Sequence, residues 1–368
     1  MNSIDNNTKV FFELVKAGLW EREIQLSQFG RIDFSEVQRL SEEQAVVGLV
    51  AAGLEHVSDY DVPKNVLLQF ISQTLQLEQR NVAMNDFIAH LVDKMRQSDI
   101  YTLLVKGQGI AQCYERPLWR TSGDIDFYLS RSNYENAKLF LTPLSQFIEP
   151  EDKRRLHFGV LIEPWIVELH GTMYTDISNR MNVVSDEVYH DLFFNGNVRS
   201  WDNHGVQIFL PSPTNDVIIV FNHFINHFYG EGVGLRQICD WCRLLWTFRS
   251  SINIEIINSQ IKKEGLLSEW RAFASLAVDY LGMPAEAMPL YNSDIKYKKK
   301  ANRIITLTIE TKVPRANNDT AKGPKWKAYI RTFYRRLIEY IRISRIFRVN
   351  ACKFFIIYIL NRFKYVIK

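Results

Sequence analysis

Cysteine is scarce: four in 368 residues, too few for a disulfide scaffold in a chain of this length and in keeping with a reducing compartment. Long apolar runs are missing as well. A membrane span needs ~18 consecutive apolar residues, and the best stretch, Phe354 to Leu360, falls far short. The opening residues, MNSIDNNTKVFFELV, lack the basic-then-apolar pattern of a secretory signal, so a cytoplasmic protein is expected. Internal repeats and low-complexity segments are absent. The remaining composition, 46% hydrophobic, 23% charged and 13% aromatic, excludes a disordered or fibrous chain. The length allows two domains or three.

Acidic residues are scarce in one place. From Lys296 to Lys368 there are 20 Lys and Arg against Glu310, Asp319 and Glu339, a balance of +17 in a chain whose total is +4, which leaves −13 for residues 1–295. A basic end favours contact with something anionic, either a membrane surface or a nucleic acid. Within it Arg331, Arg335, Arg336, Arg342, Arg345 and Arg348 fall among Tyr, Phe and Ile at near-helical spacing. That pattern suits a basic amphipathic helix at a lipid surface or an RNA backbone, and equally a packed helix with a solvated face. A cytoplasmic protein peripheral to the membrane is one expectation that follows.

Residues 1–100 read as helical, because Val10, Phe11, Leu14, Val15 and Leu19, and then Val46, Val47, Val50 and Leu54, recur at helical spacing. Ser41-Glu42-Glu43 reads as a helix start, and a long helix is expected from about Pro63 to Gln97. At Tyr101 the pattern changes to short β-type runs. Strands are expected at 101–105, 124–130, 157–162, 165–173 and 206–210, with a helix over 133–141. After Pro211-Ser212-Pro213 the chain turns helical, with Thr214-Asn215-Asp216 as the cap of an apolar run. The expected organisation is a helical region (1–100), a catalytic domain (101–212), a helical domain (213–325) and a basic amphipathic tail (326–368).

The chemistry is concentrated in Lys106-Gly107-Gln108-Gly109, followed fifteen residues later by Asp124-Ile125-Asp126. On a strand, residues i and i+2 share a face about 7 Å apart, so two carboxylates stand side by side and call for a cation. Mg²⁺ takes oxygen ligands and is often held by one or two carboxylates plus substrate phosphates. The Gly107 to Gly109 turn lets backbone N–H groups approach an anion. Glu168, inside the apolar run Val167-Glu168-Leu169-His170, is a costly residue to bury unpaired and is the expected third acid; His170 shares its face.

These residues resemble the nucleotidyltransferases of the DNA polymerase β superfamily, and within it the bacterial group of uncharacterised nucleotidyltransferases. The resemblance rests on Lys106-Gly107, the Tyr114 to Pro117 segment, Arg120, Gly123-Asp124-Ile125-Asp126 and an acid beside His on a later strand. It is good over about 101–250 and poor over the N-terminal helices and the tail. The turn departs from the usual Gly-Ser or Gly-Gly, so Lys106 stands in as a point charge for the missing hydroxyl; Glu168 stands where Asp is common. The resemblance implies an α+β fold with a mixed β-sheet flanked by helices. It also implies Mg²⁺-dependent transfer of an NMP from an NTP to an acceptor, with release of pyrophosphate. Asp124, Asp126 and Glu168 would bind two Mg²⁺, Mn²⁺ being the alternative. Lys106, Gly107, Gln108, Gly109, Arg120, His227 and Arg236 would face the nucleotide, while the acceptor stays unidentified.

Two other readings stand beside this one. Abortive-infection nucleotidyltransferase toxins, which act on RNA or on cellular targets, share a KGG turn, an Arg and a Ser-x-Asp-x-Asp strand. A non-catalytic, membrane-associated scaffold with a degenerate site is the alternative from another class. His223 and His227, one helical turn apart, read as a packed pair, and Asp240 as an i,i+4 partner of Arg236. Cys239-Asp240-Trp241-Cys242 reads as core, despite its redox-like spelling.

Overall fold

The computed structural model describes residues 5–230, 232–310 and 325–366. The side chains of Arg331 and Arg335, two of the tail's basic residues, lie outside the described set. Four helices come first: α1 (Asn6–Trp20), α2 (Phe34–Glu43), α3 (Val47–Glu55) and α4 (Lys64–Gln97). The chain then alternates through β1 (Leu103–Val105), α5 (Gly107–Ala111), β2 (Ile125–Tyr128), α6 (Arg131–Leu141), β3 (Phe147–Ile148), β4 (His157–Ile162), β5 (Trp165–His170), α7 (Asn179–Phe193), β6 (Val198–Asn203) and β7 (Val206–Pro211). Helices α8 (Pro213–Gly230), α9 (Leu235–Thr247), α10 (Ile254–Glu264), α11 (Leu267–Leu281), α12 (Ile295–Glu310), α13 (Lys325–Ser344) and α14 (Arg348–Val366) follow.

The strands form one seven-stranded sheet in the order β3-β4-β5-β2-β1-β7-β6. It is mixed: β2 runs parallel to β5 and β1 parallel to β7, and the other pairs are antiparallel. The two-residue period of a strand sorts the side chains between its faces. Leu104, Ile125, Phe127, Val167 and Leu169 pack on one side with Met84, Ile88 and Leu91 of α4 and Tyr134 and Leu141 of α6. Leu103, Val105 and Tyr128 pack on the other with Val184, Val188 and Leu192 of α7 and Ile218 and Ile219 of α8. Asp126 and Glu168, out of phase with the first set, therefore belong to the α7/α8 side.

The helical ends of the chain share one core. Val10, Phe11 and Leu14 of α1 cluster with Trp241 of α9, Trp270 and Phe273 of α11, and Tyr340 and Phe354 of α13 and α14. Helix α1 is apolar around most of its circumference, at Val10, Phe11, Phe12, Leu14 and Val15, and such a helix needs cover on more than one side. The changes of element type expected near 100 and 213 are present, but the core runs across them. Helices α1 and α3 cross closely: a Cβ at Gly53 would lie 2.0 Å from the Leu14 carbonyl oxygen.

Two local expectations are corrected. Ser41-Glu42-Glu43 ends a helix: Asp33 already caps α2 by accepting from the Ser35 N–H at 3.0 Å, and Ser41 Oγ donates back to the Gln38 carbonyl at 2.7 Å. The helix after β7 opens on Pro213, not on Thr214 to Asp216. Proline fits a first helical turn, where its missing N–H costs nothing.

Glu264, at the end of α10, is only 2% exposed. One oxygen accepts from Asn222 Nδ2 at 2.6 Å, and Oε2 has no partner among the described residues. Burial pushes its pKa up from 4.5 to about 8. A carboxyl raised on folding gives stability that is fully present below its unfolded pKa and is lost as pH rises through the folded value. Thermal melts of the native protein should therefore weaken from about pH 4.5 to about pH 8. Glu264→Gln should flatten that decline and melt higher at pH 9; an unchanged pH profile in the variant would contradict it.

Candidate active site

The site is built on the ends of β1, β2 and β5. At the end of β1 the backbone turns sharply, with Lys106 at φ 58° and Gly107 at φ 39°, the left-handed side that only glycine adopts without strain. This turn starts α5 and sends the Lys106 amine over β2, where Nζ donates to Asp126 Oδ1 at 2.7 Å. In the parallel register of β2 and β5, Asp126 stands opposite Glu168 and Tyr128 opposite His170. Asp124 lies one residue before β2 and is exposed, whereas Asp126 is 2% exposed. Carboxylate oxygens of Asp124, Asp126 and Glu168 all lie within 4.8 Å of one another.

Two carboxylates at that 4.8 Å limit repel by roughly 3 kcal/mol at an effective dielectric of 20. The groups around them answer this. Burial would raise Asp126, but Lys106 and His170 overcome it and hold the carboxyl below its ordinary value; His170 Nε2 is 2.8 Å from Oδ1. Glu168 is treated alike: burial opposes its charge, and His157 at 3.1 Å with His170 at 3.5 Å keeps it ionised. Asp124 differs: the Asp126 charge beside it, with burial, pushes its pKa up, and Lys106 only partly opposes this. For His170 and Lys106, burial would lower the pKa, and the surrounding carboxylates raise both. The oxygen-only set of Asp124, Asp126 and Glu168 fits a hard divalent cation such as Mg²⁺, which would neutralise what Lys106 and the histidines balance only in part.

A cavity of about 1140 Å³ opens beside these groups. Lys106, His157, Glu168 and His170 line one end; Asn222, His223, Asn226 and His227 of α8, with Arg336 of α13, line another wall. His223 and His227 stack edge to face at 4.5 Å. They belong to neither of the metal-capable groups found among the described residues. Burial, with Lys106 adding to it, holds His223 well below its ordinary pKa, so the ring is neutral.

The other nucleotide-facing expectations lie behind this front. Gln108 points into the interior, donating to Asn81 Oδ1 at 2.8 Å and Ser122 Oγ at 3.2 Å. Gly109 sits against Leu210, whose Cδ2 would be 2.7 Å from a Cβ there. Arg120 forks onto Asp240 with two bonds of 2.7 Å, and Tyr114 donates to the same carboxylate at 2.8 Å. Asp240 thus pairs with Arg120, across from α9, rather than with Arg236 on its own helix. Arg236 instead donates to the Thr121 carbonyl at 2.9 Å. Both arginines brace the 121–124 segment that carries Asp124. Cys239 and Cys242 are buried free thiols in the α9 core. His157, Asn222 and Asn226 escape the sequence reading, which places Arg336 only in the basic tail; His157 opens an apolar strand run, and only its pairing with His170 reveals it.

An acidic cluster at the end of parallel strands, in a mixed sheet with helices on both faces and a cavity alongside, defines a nucleotidyltransferase-type α+β protein. The chain belongs to the family of uncharacterised nucleotidyltransferases, whose family model matches residues 30–282. The match takes in residues 30–100, beyond the reach of the motif resemblance. No curated protein and no solved structure matches the chain.

The Arg120–Asp240 pair is buried, at 5% and 6% side-chain exposure. Removing one partner strands the other's charge, which costs about 3–5 kcal/mol. Arg120→Met should lower the urea unfolding free energy by that amount, and Arg120→Met/Asp240→Leu should recover part of it. A single variant as stable as the native chain would show that the pair does not brace the loop.

Proposed function

We propose that the protein transfers a nucleoside monophosphate from a nucleoside triphosphate to an acceptor hydroxyl or phosphate and releases pyrophosphate, using Mg²⁺ held by Asp124, Asp126 and Glu168, with Mn²⁺ as a substitute. The observation that carries this reading is the convergence of the three carboxylates within 4.8 Å beside the cavity. When bound, the ions supply charge neutralisation of the triphosphate and activation of the attacking oxygen. Lys106 adds a fixed positive charge at the cavity wall for the outgoing phosphates. The first turn of α5 adds backbone N–H donors at Gly107 to Gly109, which have no acceptor within the helix. Glu168, kept ionised with His157 and His170 beside it, would help a second ion lower the pKa of the acceptor hydroxyl.

The size of the cavity supports two occupants. Pockets that take one drug-sized ligand measure about 300–1,000 Å³, and this cavity, at about 1140 Å³, lies above that range. The donor would lie near Lys106 and the acceptor against Asn222, Asn226, His227 and Arg336. The participation of Arg336 and Tyr358 in the lining favours a role for the basic tail in closing the substrate site. No helix among the described residues is long and apolar enough to cross a membrane.

Incubation of the full chain with each of four α-labelled NTPs and Mg²⁺, against an acceptor library, should give pyrophosphate and a labelled product. Asp124→Asn should lower the rate about 10³-fold or more. Lys106→Met should raise the KM for the NTP more than it lowers kcat. Release of inorganic phosphate with no labelled acceptor, unaffected by Asp124→Asn, would overturn the reading.

A further inference from the structure

Glu168 belongs to two constellations. Besides the three carboxylates, the ligand atoms of His157, Glu168 and His170 also lie within 4.8 Å of one another. The three come from adjacent antiparallel strands, in which His157 stands opposite His170 and Gly159 opposite Glu168. Because His170 and Glu168 are two apart on β5, their side chains share a face, and the pairing brings His157 onto it. Both imidazole Nε2 atoms point at the same oxygen, Glu168 Oε2, at 3.1 and 3.5 Å. A divalent ion with bonds of about 2.0–2.2 Å sets neighbouring ligand atoms about 3–3.5 Å apart, which is the spacing of both histidine–Glu168 pairs here. All three residues are partly accessible and line the cavity, so an ion has a path in.

We propose that His157, Glu168 and His170 form a second metal site, selective for a divalent transition ion of the Zn²⁺ type, and that Glu168 bridges it to the oxygen-only site of Asp124 and Asp126. The donor chemistry makes the distinction. Mg²⁺ takes oxygen ligands and dehydrates reluctantly, whereas imidazole nitrogen suits zinc and its neighbours in the transition series. Two nitrogens and one carboxylate leave a fourth position open toward the cavity, the arrangement of a site that admits water or substrate. Asp126 Oδ1, 2.8 Å from His170 Nε2, lies next to the same ring and ties the two sites together. The proposal goes beyond the transfer reaction and does not depend on it, since it concerns metal binding in the absence of nucleotide.

The test uses the full chain, stripped with chelator and titrated with Co²⁺ as a spectroscopic stand-in for Zn²⁺, with no nucleotide present. Visible bands of nitrogen-ligated Co²⁺ should grow to one equivalent, be abolished by Zn²⁺ and survive a large excess of Mg²⁺. His157→Ala and His170→Ala should each weaken Co²⁺ binding at least about tenfold, while Asp124→Asn leaves the bands in place. His157 sits at a strand start with 26% of its side chain exposed, so His157→Ala carries the test if His170→Ala does not fold; thermal melts establish which variants are folded. Co²⁺ that gives no such bands, that Mg²⁺ displaces, or that binds His157→Ala as well as the native chain would mean that the histidines only neutralise Glu168. That outcome leaves the transfer reaction standing, and a failed transfer assay with intact Co²⁺ bands leaves the second site standing.

Discussion

Negative charge buried at one sheet register is the constraint on which the rest depends. Asp126 and Glu168 face each other across parallel strands, Asp126 almost wholly buried and Glu168 opening onto the cavity. The fold answers from three directions: the Lys106 amine from the turn after β1, His170 from the same strand as Glu168, and a hydrogen bond from the His157 ring on the next strand. Burial alone would lower the pKa of Lys106 and His170, and the carboxylates beside them raise both. Together they make an ionised cluster that neither set tolerates alone, and one whose balance a bound cation would change.

The second layer fixes the position of that cluster. Asp124 is on irregular chain just before β2, and its place follows from Arg120, which is tied to Asp240 and Tyr114, and from Arg236, which holds the Thr121 carbonyl. These contacts join the loop to α9, so the helical half of the protein is mechanically part of the site. Asn81 of α4 does the same from the other side, donating to the Leu118 and Arg120 carbonyls. That a single core links α1, α9, α11 and the last two helices gives these braces a rigid base. It also accords with a family match that begins at residue 30, well before the first strand.

The cavity combines chemistry from distant parts of the chain. Strand residues give it an anionic floor, and α8 gives it amides and two imidazoles. The helices of the basic tail add Arg336 and Tyr358. Tyr340 of α13, Phe347 between the two helices and Phe354 of α14 pack on Phe228 and Tyr229 of α8, so the tail's apolar residues are spent at least in part on this protein's own core. Exposed apolar side chains remain on it, among them Tyr334, Ile338 and Ile356.

Much of this was legible in the sequence where the signal is local. The short β-type runs located β1, β2, β4, β5 and β7, the long helix expected from about Pro63 to Gln97 matches α4, and the spacing of Asp124 and Asp126 pointed to paired carboxylates, although Asp124 falls just outside β2. A buried Glu168 was legible too, since an acid in an apolar run must have a partner. What could not be read is which partner. His157 lies eleven residues from Glu168, and only strand pairing brings them together; Arg120 meets Asp240 across 120 residues, although a nearer arginine sits four residues from that aspartate. Local rules supply the residue types and their faces. Register, sheet order and helix packing decide which charges meet, because an ion pair is chosen by distance in space, and the sequence encodes that distance only through the whole fold.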